Sequence, residues 1–349
     1  MSTQTWPAML GSLIAARDLT EDDTAWAMDQ IMSGVATTAQ IAGFAVALRA
    51  KGETSDEIAG MARTMLAHAK RVSLDIRAVD LVGTGGDQAG TVNISTMAAV
   101  VTAAAGIPVV KHGARAASSK CGAADVLEAL GVAVDLQPEA VRTCVTEVGI
   151  GFCFAPVFHP AMRYTAEARG QLGVPTVFNF LGPLTNPAQP PAGLVGCANP
   201  TIAPVLAQVF AHRGTTALVV RGDDGLDELT TTTTSTVWVA DGGSVRVEQV
   251  NPADLGVRPA AAADLVGGDK TVNAQVMRDL LGGRAGPVRD AVLLNAAGAV
   301  VAFRGLSDRG LTADLLAAME IVGNAVDSGA AASLLDRWAA RTTELRKTA

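Results

Sequence analysis

Apolar positions recur at helical spacing through the first seventy residues. Ile41, Phe44, Ala45 and Leu48 fall at i, i+3, i+4 and i+7, and Gly52 closes the pattern. Ile58, Met61, Ala62 and Met65 make another stripe. Thr20 with Asp23 and Thr54 with Glu57 have the spacing of capping boxes, in which each side chain satisfies a free backbone N–H at a helix start. The first of these helices is predicted to stop near Gly34. Each has one apolar face and needs something to bury it: a neighbour, the rest of the chain, or a second subunit.

The pattern changes near Asp75. Short aliphatic runs at 78–82, 107–110, 132–136, 150–154, 194–197 and 217–220 read as buried strands. Helical stretches at 95–105, 123–130, 138–148 and 202–212 separate them. This alternation predicts an α/β fold, a mainly parallel sheet flanked by helices, after a small all-α domain. Ligands in such sheets bind beyond the carboxyl ends of the strands. Farther on, β-branched residues from Thr230 to Thr236, continued by 237–240, read as a β segment. Helices are predicted at 274–281 and 312–326.

A chain of 349 residues exceeds the ~250–300 at which a single core stops growing, so two unequal domains are expected. The composition, 49% hydrophobic and 17% charged, suits a compact chain. Its net charge of -7 argues against a nucleic-acid binder with a broad basic surface. A local cluster of cations can still hold a small anion. None of the four cysteines has C-x-x-C spacing, which points to reduced thiols and a cytoplasmic setting. No basic segment leads into an apolar signal stretch, and the Ala-rich run from Met97 to Ala105 is too short to span a bilayer, so no membrane association is expected.

Three loops carry candidate chemistry. Gly83-Thr84-Gly85-Gly86-Asp87 follows the first strand and can form a nest of backbone N–H groups for an anion, or simply a tight strand-to-helix turn. It is neither a Rossmann fingerprint nor a Walker A loop. Thr91 and Asn93-Ile94-Ser95-Thr96 lead from it into an Ala-rich helix and offer more polar groups than an N-cap needs. After the second strand, Lys111 to Gly122 supplies cations, hydroxyls and glycines suited to phosphate oxygens. Within it His112 reads as structural rather than as a base; beyond it, Asp125 to Leu130 reads as plain helix. The third loop, Asp223 to Glu228, offers carboxylates for Mg²⁺ or an acidic surface turn, with Asp223 and Asp224 readable as turn residues alone. Two polyanion loops facing an acidic pair suit a Mg²⁺–pyrophosphate substrate.

These motifs, in order GTGGD, NIST, KHGxRAASS, ADVLEALG, FHPAMR, NFLGPLTNP and DGLDE, resemble the anthranilate phosphoribosyltransferase family from about residue 8 to residue 345. The resemblance implies a helical domain over 1–74, joined by helices from about 160–190, and an α/β domain over 75–349, as in pyrimidine nucleoside phosphorylases. It implies transfer of 5-phosphoribosyl from phosphoribosyl pyrophosphate to anthranilate, in tryptophan biosynthesis, by a homodimer using Mg²⁺, two ions per subunit. The implied donor-binding residues are Gly83, Gly86, Asp87, Thr91, Asn93, Ile94, Ser95, Thr96, Lys111, His112, Gly113, Arg115, Ser118, Ser119 and Ala123. Ser95, Asp227 and Glu228 are implied for the metal. Gly83, Ala114 and Arg169 are implied for anthranilate, with Arg169 on its carboxylate. The 166–187 segment that carries Arg169 would otherwise read only as a loop between helix and strand. The family usually has Asn where this chain has Ala114, and commonly Ser where it has Cys121. Ala cannot supply the hydrogen bonds of Asn, which leaves the same chemistry on another aromatic acceptor as the alternative. A nucleoside phosphorylase is disfavoured by Asp227-Glu228.

Overall fold

The computed structural model describes residues 4–116 and 119–348. Four helices come first: α1 (Trp6–Ile14), α2 (Glu21–Met32), α3 (Thr38–Lys51) and α4 (Ser55–Ala67). Both anticipated capping boxes form, on Thr20 and Thr54, and a third forms on Thr37 with Gln40. The stripe of α3 (Ile41, Phe44, Ala45, Leu48) and that of α4 (Ile58, Met61, Ala62, Met65) are buried.

The α/β part runs β1 (Val79–Gly83), α5 (Ile94–Ala104), β2 (Val109–Gly113), α6 (Ala123–Ala129), α7 (Pro138–Val148), β3 (Ile150–Phe154), a single turn α8 (Ala155–Phe158), α9 (Ala166–Leu172) and β4 (Ala192–Gly196). It continues through α10 (Ala203–His212), β5 (Thr216–Gly222), β6 (Ser235–Asp241), β7 (Ser244–Val250), α11 (Lys270–Leu281), α12 (Pro287–Arg304), α13 (Leu311–Asp327) and α14 (Ala330–Thr348). The strands form one seven-stranded sheet among the described residues, ordered β3-β2-β1-β4-β5-β6-β7. The first five are parallel, and β6 and β7 add as an antiparallel pair.

Strand periodicity divides the core in two. Leu194, Leu218 and Val220 turn to the face covered by α5, α12 and α13. Val195, Ala217 and Val219 turn to the opposite face, where α10 and the N-terminal helices share a second core with Phe178, Phe180 and Leu184. The helical domain therefore sits on one face of the sheet. No described helix is long and apolar enough to cross a membrane. All four cysteines are buried free thiols.

Two expected strands are corrected. Val132, Ala133, Val134 and Leu136 are buried, with Asp135 exposed between them, but residues 132–136 join no strand. They link α6 to α7 and lie against α14, with Ala133 N–H donating to Thr342 Oγ1 at 3.1 Å; a short apolar run reports burial and not pairing. Thr230 to Thr234 precede β6 instead of opening it. Thr230 N–H donates to Ser235 Oγ and Thr232 N–H to Thr230 Oγ1, so hydroxyls take the N–H groups a ladder would use.

Candidate active site

The three loops converge at the carboxyl ends of β1, β2, β4 and β5. The glycines of the first loop serve two different needs. Gly85 and Gly86 have φ of +66° and +87°, the left-handed region glycine enters without strain. Gly83 is there for space: a Cβ on it would run into the Asp227 carboxylate. Gly196, at the end of β4, is likewise pressed against the backbone of Asp227. Gly85 N–H donates to Asp227 Oδ2 at 2.7 Å.

Asp227 and Glu228 thus enter the space between the Gly-rich loop and the start of α5, where Ser95 N–H donates to Glu228. Both are half-buried. Desolvation first, then the charge of Asp87, raises the Asp227 pKa to about 7. Desolvation, then Asp227, lifts Glu228 well above the usual carboxylate range. Lys111 opposes them from below. It is buried, and its ammonium donates to the Leu81 carbonyl and to Ser95 Oγ at 3.3 Å. Burial lowers its pKa, while Asp80, Glu228 and Asp227 hold it up. A lysine and three carboxylates around a glycine nest can bind a polyanion together with a hard cation.

Other anticipated residues take distinct places. Thr91 forms an isolated bridge with Val266. Ile94 is core, so only its backbone faces the loops, and Thr96 Oγ1 is buried among the described residues without a partner. Asn93 precedes α5 without capping it; its amide goes to the Cys121 carbonyl at 3.0 Å and to Asn273. Gly113 ends β2 where a Cβ would come 3.0 Å from the Phe152 ring and 3.3 Å from the Ala123 methyl. Arg115 is held by Glu128 at 2.6 and 2.8 Å and by Asp125 at 3.1 Å, over the Phe154 ring. Asp125 also accepts from Ala116 N–H and Gly122 N–H, so the stretch read as plain helix shapes the loop. Ala114 is exposed. Ser119 Oγ donates to the Cys121 carbonyl at 3.4 Å, and Ser118 lies outside the described residues. Asp223 and Asp224 are turn residues, holding Thr234 and Thr236, and Thr230 and Thr232, respectively.

His112 is buried, with Nδ1 at 3.0 Å from the Gly182 carbonyl and the His159 ring 5.2 Å away. Burial, then His159, depresses its pKa to about 3, so it is neutral at pH 7. Arg169 on α9 is half-buried; its guanidinium makes no hydrogen bond or ion pair among the described residues, and burial lowers its pKa.

A family model described as the glycosyl transferase family helical bundle domain matches residues 7–69, and that of the family's a/b domain matches 75–332. An anthranilate phosphoribosyltransferase of Saccharopolyspora erythraea is 62% identical over 342 residues, covering 98% of this chain and 97% of the relative. The chain belongs to the anthranilate phosphoribosyltransferase family. The solved anthranilate phosphoribosyltransferase of Thermus thermophilus matches with a TM-score of 0.88 at 40% identity, covering 96% of this chain and 99% of that one. That of Saccharomyces cerevisiae, solved in complex with phosphoribosyl pyrophosphate and Mg, matches with a TM-score of 0.88 at 26% identity, covering 98% and 99%.

Sequence reasoning missed the residues that hold this family's loops in place here. Asp80, alternating with core Val79 and Leu81, accepts from His112 N–H and from Asn186 at 2.8 Å. Asn295, buried on α12, pairs with both the N–H and the carbonyl of Leu229, next to Glu228. One polar residue inside the apolar run Val292 to Ala297 was a visible signal for Asn295. Asp80 shows only as an odd residue in a strand.

Proposed function

We propose that this chain transfers 5-phosphoribosyl from phosphoribosyl pyrophosphate to anthranilate, giving N-(5-phosphoribosyl)anthranilate and pyrophosphate, a step towards tryptophan. The observation that carries the reading is the Asp227–Glu228 pair held between the Gly83–Asp87 nest and Ser95, with Lys111 beneath. The relatives' shared name favours anthranilate over another aromatic acceptor, even with Ala114 in place.

Mg²⁺ suits the donor set: two carboxylates and the Ser95 hydroxyl, all oxygen. The mutual repulsion of Asp87, Asp227 and Glu228 is what a divalent cation would relieve. No described group of three His, Cys, Asp or Glu side chains forms a ready-made metal cage, so water and substrate oxygens would complete the coordination, with two ions per subunit. When bound, the metal would supply Lewis-acid stabilisation of the departing pyrophosphate.

The chain's own residues would do the rest. Gly83, Gly86, Asp87, Thr91, Asn93 to Thr96, and Lys111 to Ser119 would hold the donor, with backbone N–H groups and Lys111 facing developing negative charge. Arg169 would pair with the anthranilate carboxylate and bring the arylamine to the anomeric carbon. The arylamine is neutral at pH 7 and needs no strong base, in keeping with a His112 that stays neutral and bound to Gly182.

The helical domain over 1–74, joined by helices from about 160–190, would form the homodimer contact, and residues 75–349 the donor domain. Free buried thiols fit a cytoplasmic enzyme. The test follows the loss of anthranilate fluorescence with phosphoribosyl pyrophosphate and Mg²⁺, with and without EDTA. Mg²⁺-dependent decay is expected, abolished in Asp227→Ala and Glu228→Ala. Wild-type rates in both variants would remove the metal assignment.

A further inference from the structure

We propose that Asn273, at the start of α11, is a positioning residue that locks the two polyanion loops to each other through Asn93. Asn273 is 1% exposed. Its Oδ1 accepts from Gly268 N–H at 2.8 Å, and its Nδ2 donates to Asn93 Oδ1 at 2.9 Å. Asn93 Nδ2 then donates to the Cys121 carbonyl at 3.0 Å. Each amide has both ends engaged, so neither can flip without losing a bond. Burial, then Asp125, pushes the Cys121 thiol up to about 11, and the Asn273 amide, which also faces it, opposes that shift.

The segment before α11 is fitted to the same place. Val92 N–H donates to the Leu265 carbonyl and Gly267 N–H to that of Gly90, both at 2.9 Å. A Cβ on Gly267 would come 2.8 Å from Asn273 Oδ1 and 2.9 Å from both Thr91 O and Val92 N. Residues 265–273 therefore back the first loop, and one side chain from them reaches, through Asn93, the base of the second. Lys111 to Ser95 is another tie between the loops. Without Asn273 the Asn93 amide can turn, and Ser95 and Ser119 lose their fixed separation. The cost falls on binding a donor that both loops must grip at once. This inference rests on the donor-site reading above.

The test compares Asn273→Ala, Asn93→Ala and the double variant by steady-state kinetics, by calorimetry with phosphoribosyl pyrophosphate and Mg²⁺, and by thermal melting. Of the two hydrogen bonds that Asn273→Ala removes, loss of the one to Asn93 predicts a donor KM raised about tenfold. The anthranilate KM should stay near the wild-type value, and the double variant should bind donor no worse than Asn93→Ala. Asn273→Ser, whose hydroxyl can still accept from Gly268, gives the same readout should the Ala variant not fold. A lowered melting point with unchanged donor KM, or donor losses that multiply in the double variant, overturns the positioning role and leaves the donor reading intact. A wild type that neither binds nor turns over the donor overturns both.

Discussion

The Asp227 carboxylate occupies the space that a side chain on Gly83 would need. One residue ends β1 and the other follows β5, so the packing of two strands through β4 sets the position of the acidic pair. Gly83→Ala is expected to displace the carboxylate, because a side chain gives way more easily than the surrounding backbone. kcat/KM should fall by about a hundredfold or more, with a melting point close to wild type. Retained activity in Gly83→Ala would mean that Asp227 need not sit where it does.

A half-buried guanidinium without a partner calls for a counter-ion. Arg169 is in that state among the described residues. Arg169→Gln should raise the anthranilate KM by about tenfold to a hundredfold, the range for a hydrogen bond to a charged group. The donor KM should not move. Arg169→Lys should recover part of the loss, since it restores charge without the bidentate fork. An equal rise in both KM values would place Arg169 in the frame rather than at the acceptor.

Asp125 ties the second loop to α6 by accepting from Ala116 N–H at 3.0 Å and Gly122 N–H at 2.9 Å, and it helps hold Arg115. Asp125→Ala strips these backbone groups of their acceptor and should cost about 1–2 kcal/mol in denaturant unfolding. It should also raise the donor KM. Glu128→Ala touches Arg115 alone, on the surface, and should cost less than about 1 kcal/mol.

His112 and His159 make stability depend on pH in a definite direction. Burial depresses their folded pKa values to about 3 and about 4, against about 6.5 in the unfolded chain. Between these values the unfolded chain binds more protons, so their stabilising contribution is complete above pH 6.5 and is lost as pH falls towards 3 to 4. Urea midpoints measured from pH 7 down to pH 4 should drop, and the drop should be shallower in His112→Gln/His159→Gln than in wild type. An identical slope would assign the acid sensitivity to other groups.

The sequence by itself determined the elements with local, periodic signals. The boundaries of α7 and β3 match the reading residue for residue, and the caps on Thr20 and Thr54 form as spaced. Hydroxyl, N–H and apolar stripe lie within a turn or two of one another there, so no distant contact is needed to settle them. The placement of the first two loops also followed, because alternating strands and helices put every β-to-α loop at one end of the sheet, and the third, between β5 and the antiparallel β6, leaves a strand at the same end.

Only the tertiary structure decided the rest. The helix α12 is apolar on nearly every side from Ala291 to Ala302, because it is wrapped by other elements and so shows no stripe. Residues 132–136 carry a strand's composition and face a helix. Gly83 cannot disclose that it makes room for Asp227, nor Asn273 that it reaches Asn93, 180 residues away. These pairings depend on which strands lie side by side. That choice is made by the packing of two cores over the whole chain, and no local window of sequence contains it.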